Sequence, residues 1–185
     1  MKLDNVRVAI LATDGFEEVE LTSPREILEK EGAECHIVAP AGDDKNAIRS
    51  WQHTDWGESF DIDRKLSAAD PAGYDMLLLP GGVLNPDQLR MNEGALRFVQ
   101  AFFRDDKPVA AICHGAQTMI DAEVVEGRTM TSYPAIRRDL INAGADWQDR
   151  EVVTDGNLVT SRSPRDLDAF NRTIVELAAN AVPAD

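Results

Sequence analysis

Apolar residues along this chain come in short unbroken runs, separated by longer stretches in which they recur every three or four positions. "VRVAILAT" (Val6 to Thr13), "ECHIVAP" (from Glu34), "YDMLLLPGG" (Tyr74 to Gly82) and "KPVAAI" (from Lys107) are runs of the first kind. Continuous aliphatic and β-branched residues suit strands of a sheet covered on both faces. The intervening stretches read as helices. In "EEVELTSPREILEKEG", Leu21, Ile27 and Leu28 sit near helical spacing and Gly32 is placed to end the helix. Pro24 falls inside, so this helix is expected to start beside it or to bend there. "NEGALRFVQAFFRDD" puts Leu96, Val99, Phe102 and Phe103 on one face. Strand and helix alternating in this way predict an α/β protein: a three-layer α-β-α sandwich around a mostly parallel sheet.

Two regions depart from the alternation. "AGDDKNAIRSWQHTDWGESFDIDRKLSAAD" is polar, contains two tryptophans, and reads either as short antiparallel strands or as a long excursion. In "REVVTDGNLVTSR", Asp155-Gly156 between two alternating runs signals a hairpin. The last helix is expected to begin at "SPRDLDAF", with Ser163 as N-cap, Pro164 at the first helical position and Asp166 at the third. No linker or repeat interrupts the sequence, so residues 1–185 are expected to form one domain.

Charge narrows the function. At a formal net charge of −14 the surface repels phosphate backbones and anionic lipid, which argues against nucleic acid as a primary partner. Two cysteines, Cys35 and Cys113, are too few for a disulfide scaffold and lack the clustering of a zinc site. "MKLDNVRVAI" has no apolar stretch long enough for a signal peptide or a membrane span. The expectation is a cytoplasmic protein with reduced thiols, no membrane partner, no metal and no cofactor.

The chemistry concentrates at Ala111-Ile112-Cys113-His114-Gly115. A buried strand ends there and a helical pattern begins at once, with small residues two before and two after the cysteine. A nucleophile elbow needs that spacing, because its sharp turn leaves no room for larger side chains. A helix N-terminus after the sulfur favours thiolate over thiol. Backbone amides at the turn could hold an oxyanion, and the imidazole of His114 could exchange a proton with the thiol. The plainer alternative, a small buried hydrophobe, is the fate of most unpaired cysteines and is the reading given to Cys35.

"AAICHGAQTMI", "MTSYPAIRRDLINAGADW" and "VVTDGNLVTSRSP" together resemble the PfpI-type intracellular cysteine peptidase family. That family lies in the class I glutamine amidotransferase-like superfamily, which has a flavodoxin-like fold and includes the Parkinson-disease-associated deglycase. The resemblance implies Cys113 as nucleophile, His114 as its neighbouring base, and Glu17 in "DGFEEVEL" as an acidic residue beneath the thiol. A carboxyl there would lie near the sulfur if the first strand and the Cys113 strand were neighbours. Glu18 and Glu20 are read as solvated first-turn glutamates. The resemblance also implies Gly82 and the His114 backbone as oxyanion hole, Tyr133 on the pocket wall, and Asp87 in "NPDQLR" as a third triad member supplied by an adjacent subunit of a homodimer or hexamer. The loop carrying Asp87 is about one residue longer than in the archaeal pattern.

Several functions are compatible with that scaffold. The favoured expectation is a stress-response enzyme of glyoxalase or deglycase type, acting on small reactive carbonyls or glycated adducts. The alternatives are a cysteine peptidase or amidase taking short peptides, and a redox sensor or holdase whose accessible, low-pKa Cys113 is oxidised. Glutaminase activity is disfavoured, since "SRSPRDLDAF" lacks the late histidine and glutamate of the true amidotransferases.

Overall fold

The computed structural model describes residues 2–181. Its central sheet is built from β1 (Arg7–Leu11), β3 (Glu34–Ala39), β6 (Arg64–Lys65), β7 (Met76–Leu79), β8 (Val109–Ile112), β11 (Val152–Asp155) and β12 (Leu158–Ser161), in the order β11-β12-β8-β7-β1-β3-β6. All pairs are parallel except β11 with β12, the hairpin expected around Gly156. Its two-residue connection is Gly156-Asn157, with Gly156 at φ +57°, in the left-handed region a tight turn of this hand requires.

Side chains alternate between two cores. Val8, Ile10, Met76, Leu78, Ala110 and Ile112 face one side, packed by α1 (Glu18–Lys30) and α6 (Leu167–Ala181). Ala9, Leu11, Leu77, Leu79, Val109 and Ala111 face the other side. That face is packed by α2 (Leu84–Leu89), α3 (Glu93–Arg104), α4 (Ala116–Asp121) and α5 (Arg137–Asn142). Both faces being buried is why these strands read as unbroken apolar runs. The result is the expected three-layer α-β-α sandwich.

Two local expectations change, and the antiparallel alternative for the middle segment holds. Helix α1 runs from Glu18, straight through a buried Pro24, rather than starting beside it. Its end is as expected: Gly32, at φ +109°, donates to Glu29 O and Ala33 donates to Leu28 O. The polar middle segment is a hairpin, β4 (Ala47–Gln52) with β5 (Asp55–Asp61), extended by the two-residue β2 (Phe16–Glu17) into a small sheet. A second small sheet pairs β9 (Thr129–Met130) with β10 (Asp146–Trp147). At the last helix Pro164 occupies the first position of a 3-10 turn, but the Ser163 side chain makes no capping bond. Among the described residues no helix is long and apolar enough to cross a membrane.

Candidate active site

The carboxyl ends of β1, β7 and β8 open on one crevice. The chain winds away from β1 in both directions there, the place where open α/β sheets take ligands. β7 lies between β1 and β8, so the strand adjacency that would have placed Glu17 beside the thiol does not hold. Three turns line the crevice: the β1–α1 connection, the Gly81-Gly82 turn after β7, and Cys113 after β8.

Cys113 adopts φ +61°, the left-handed conformation that non-glycine residues rarely enter. The turn is forced by its neighbours. A Cβ on Gly115 would stand 2.4 Å from Leu79 O, so only glycine fits. The amide of Tyr133 donates to the carbonyl of Cys113 (3.1 Å), tying down the corner. Cys113 is buried, 7% exposed. Nδ1 of His114 lies 3.3 Å from its sulfur, and the backbone amides of His114 and Gly82 both face it. His114 in turn stacks on the Tyr133 ring, with centroids 4.7 Å apart at 26°.

The carboxyl nearest the thiol is that of Glu20, not Glu17. Glu20 has no exposed surface; its Oε2 accepts from Gly81 N (2.9 Å), and its carboxyl lies beside Cys113. Burial pushes it up to about 8, so at neutral pH it holds its proton and can donate to the sulfur. The reading of Glu20 as solvated is overturned by its packing. Glu18 is also pinned, accepting from Ser50 Oγ, Gln52 Nε2 and the Glu58 amide, which hold it below the usual carboxylate range. Glu17 sits on the cavity wall instead, raised by burial and 3.5 Å from Nδ1 of His53.

The helix-end argument for a thiolate also gives way. Burial, with a neighbouring Glu20 when that group is charged, pushes the Cys113 thiol up; the two facing amides only partly oppose this. The sulfur is followed by a single 3-10 turn and the six-residue α4, too short for a substantial dipole. Burial lowers His114, leaving a neutral imidazole able to take a proton. The resting pair is therefore thiol and imidazole. Burial raising the thiol runs against the low pKa on which the redox-sensor expectation rested.

These groups open into a cavity of about 1280 Å³. Gly15, Trp51, His53, Val83, Leu84, Tyr133 and Pro134 form part of its wall. Arg162 also lines it, clamped by Asp166 (2.9 and 3.0 Å) and Asp149 (2.7 Å). None of Glu20, Asp149 or Arg162 was singled out from sequence. Gly82, at φ +78°, could carry no Cβ, which would meet Gly15 O at 2.4 Å. Asp87 is exposed on α2 and is not part of the cavity wall of its own chain. Cys35, by contrast, is core, pushed up to about 12 by burial. No cluster of three or more His, Cys, Asp or Glu among the described residues could hold a metal.

A buried cysteine on a left-handed strand-to-helix corner, flanked by imidazole and inward amides, makes this an α/β protein with a nucleophile elbow. The DJ-1/PfpI family profile matches residues 6–177, and the chain belongs to that family. It is 44% identical over 172 residues to a putative cysteine protease of Bacillus subtilis, covering 92% of this chain and 97% of that one. It is equally identical to a deglycase of Pyrococcus abyssi, over 93% and 99% of the two chains. Among solved structures, a two-domain Anabaena variabilis protein with DJ-1/ThiJ/PfpI-like and ferritin-like domains superposes with a TM-score of 0.87 at 33% identity. The match covers 97% of this chain but half of that protein's length. Schizosaccharomyces pombe DJ-1 shares the fold, with a TM-score of 0.83 at 22% identity over 95% and 96% of the two chains.

Proposed function

We propose that this protein is a cysteine-dependent enzyme that converts small reactive carbonyls, or their adducts on amino groups and thiols, to hydroxy acids. The observation that carries the reading is the set of groups around one buried sulfur: His114 as base, two amides facing it, and a Glu20 that keeps its proton. With methylglyoxal, Cys113 Sγ adds to the aldehyde carbon while His114 takes the thiol proton and passes it to the carbonyl oxygen, giving a hemithioacetal. His114 then moves the proton on that carbon to the adjacent carbonyl carbon, while the hemithioacetal hydroxyl gives up its proton to the oxygen of that carbonyl and becomes the thioester C=O. The product is a lactoyl thioester, which water cleaves to lactate, restoring the thiol. The internal proton transfer oxidises one carbon and reduces its neighbour, so no external oxidant is consumed. Amides at Gly82 and His114 suit the oxyanions of both addition steps. The deglycase name of the Pyrococcus relative supports this substrate class.

The peptidase reading draws on the name of the Bacillus relative and uses the same thiol, imidazole and amides. It needs a carboxylate behind His114, which we infer is Asp87 of a second copy of the chain in a homodimer or hexamer. Exposed Val83 and Leu84, on the same segment as Asp87, suit such an interface.

The deciding assay follows methylglyoxal loss and lactate gain under reducing conditions, for wild type and Cys113→Ala. Many turnovers per subunit, abolished in Cys113→Ala, are expected. Consumption of one aldehyde per thiol and no lactate would overturn the carbonyl reading and move the peptidase reading ahead.

A further inference from the structure

Asn85, the second residue of α2, is fully buried although it is polar. Its carboxamide is completely engaged. Nδ2 donates to Pro80 O (2.9 Å) and Gly81 O (3.1 Å), and Oδ1 accepts from the amide of Thr13 (2.8 Å). The two carbonyls belong to consecutive peptide groups of the turn after β7. In a trans peptide the N–H points away from the C=O, so fixing one end aims the other. Opposite Pro80 O is the N–H of Gly81, which donates to Glu20 Oε2 (2.9 Å). Opposite Gly81 O is the N–H of Gly82, which faces the Cys113 sulfur.

Both peptides meet at Gly81, and the second runs on to Gly82; glycines rotate at little steric cost and have no side chain of their own to hold them. A Cβ on Gly81 would stand 2.6 Å from Glu20 Oε2 and 2.7 Å from Cys113 Cβ, so bulk cannot stiffen the turn. Orientation must come from outside. Among the described residues, the other bond to these carbonyls from outside the turn, Glu17 N to Gly81 O, is long at 3.4 Å. Through Thr13, Asn85 also ties the turn to the loop leaving β1.

We propose that Asn85 is a positioning residue: its carboxamide sets the two peptide planes that present the Gly81 N–H to Glu20 and the Gly82 N–H to the Cys113 sulfur and Glu20. It touches no substrate and acts only through the turn. Its effect on turnover rests on the function proposed above, whereas its effect on the sulfur does not.

The test reads the sulfur directly, as the rate of Cys113 alkylation by iodoacetamide from pH 6 to 9, with kcat and KM for methylglyoxal alongside. Groups beside the sulfur, and so shaping that profile, are Glu20 from α1 and His114 from the elbow; Glu17, paired with His53, lies on the cavity wall. Asn85→Ala is expected to slow alkylation about tenfold or more near neutral pH, the loss of one amide bond to a developing thiolate. The profile should move to higher pH, with kcat falling far more than KM. Leu140→Ala, a core truncation on α5, serves as the stability control and should leave both readouts unchanged. Asn85→Asp, equal in size but without the donors, carries the same expectation as Asn85→Ala. In the unaltered protein, both Asn85 side-chain amide protons should exchange as slowly as central-strand amides. Wild-type alkylation in Asn85→Ala, an equal deficit in Leu140→Ala, or fast exchange of those protons would each overturn the proposal. Failure of wild type to turn over methylglyoxal would sink the functional reading alone, because alkylation needs no substrate.

Discussion

Replacing Glu20 by Gln should make the protein more stable, and only above about pH 4.5. A glutamine keeps the shape, the acceptor for Gly81 N and a donor toward the sulfur, but cannot ionise. In wild type the carboxyl is raised from 4.5 to about 8. Between those values the unfolded chain has released the proton while the folded chain still holds it. The native state then binds more protons, and stability falls as pH rises until Glu20 itself ionises. Below pH 4.5 the group contributes no such loss. Full expression of the shift would cost about 5 kcal/mol by pH 8; relaxation and water entry around the charge should bring this to roughly 2–4 kcal/mol. Urea unfolding at pH 5 and 8 would read it, the upper value lying a full unit below the ordinary thiol value of 9.0 so that Cys113 contributes little. With an m-value of roughly 2 kcal/mol per molar for a chain of this size, the wild-type midpoint should drop by about 1–2 M relative to Glu20→Gln over that interval. Other groups titrate identically in both proteins and cancel. Parallel pH dependence in the two would refute the account of a proton-holding Glu20.

Two further outcomes follow from packing and from the proposed assembly. Gly115→Ala must push a methyl against Leu79 O, so a loss of about 2 kcal/mol or more in thermal unfolding is expected, together with slowed alkylation as the elbow shifts; an unchanged melting temperature would contradict the fit. If Asp87 acts across an interface, Asp87→Asn should lower peptide hydrolysis, and mixing it with Cys113→Ala subunits should restore part of the activity; full hydrolysis by a demonstrated monomer would end that reading.

Much of this architecture was legible because two-sided burial leaves its mark on sequence. The strands at Val8, Leu77 and Ala110 are apolar on both faces, so they appear as runs, and the elbow is visible because small residues are compulsory around Cys113. The β4–β5 hairpin was less clear, since most of β5 is exposed and its pairing rests on backbone bonds that tolerate many side chains. Glu20 was misread although a signal existed. Glu20, Leu21, Pro24 and Leu28 form one buried stripe on α1, while Glu18 lies about 200° around the helix from Glu20. A carboxylate on an apolar stripe is a buried group, whatever its position in the first turn. Asn85 left no comparable trace: in sequence it is one more polar residue in a slightly longer loop, and its importance lies in which carbonyls it reaches.

The left-handed backbone of Cys113 means that the reactive residue is a poor local fit to its own position. A cysteine there costs on the order of 1–3 kcal/mol relative to a residue free to enter that region, and glycine would relax it. A population of chains screened for heat resistance alone should therefore drift toward glycine at 113 and lose the thiol. Retaining it requires selection on chemistry, so the frequency of glycine at this position in such a screen would measure how far activity, rather than folding, keeps the corner as it is.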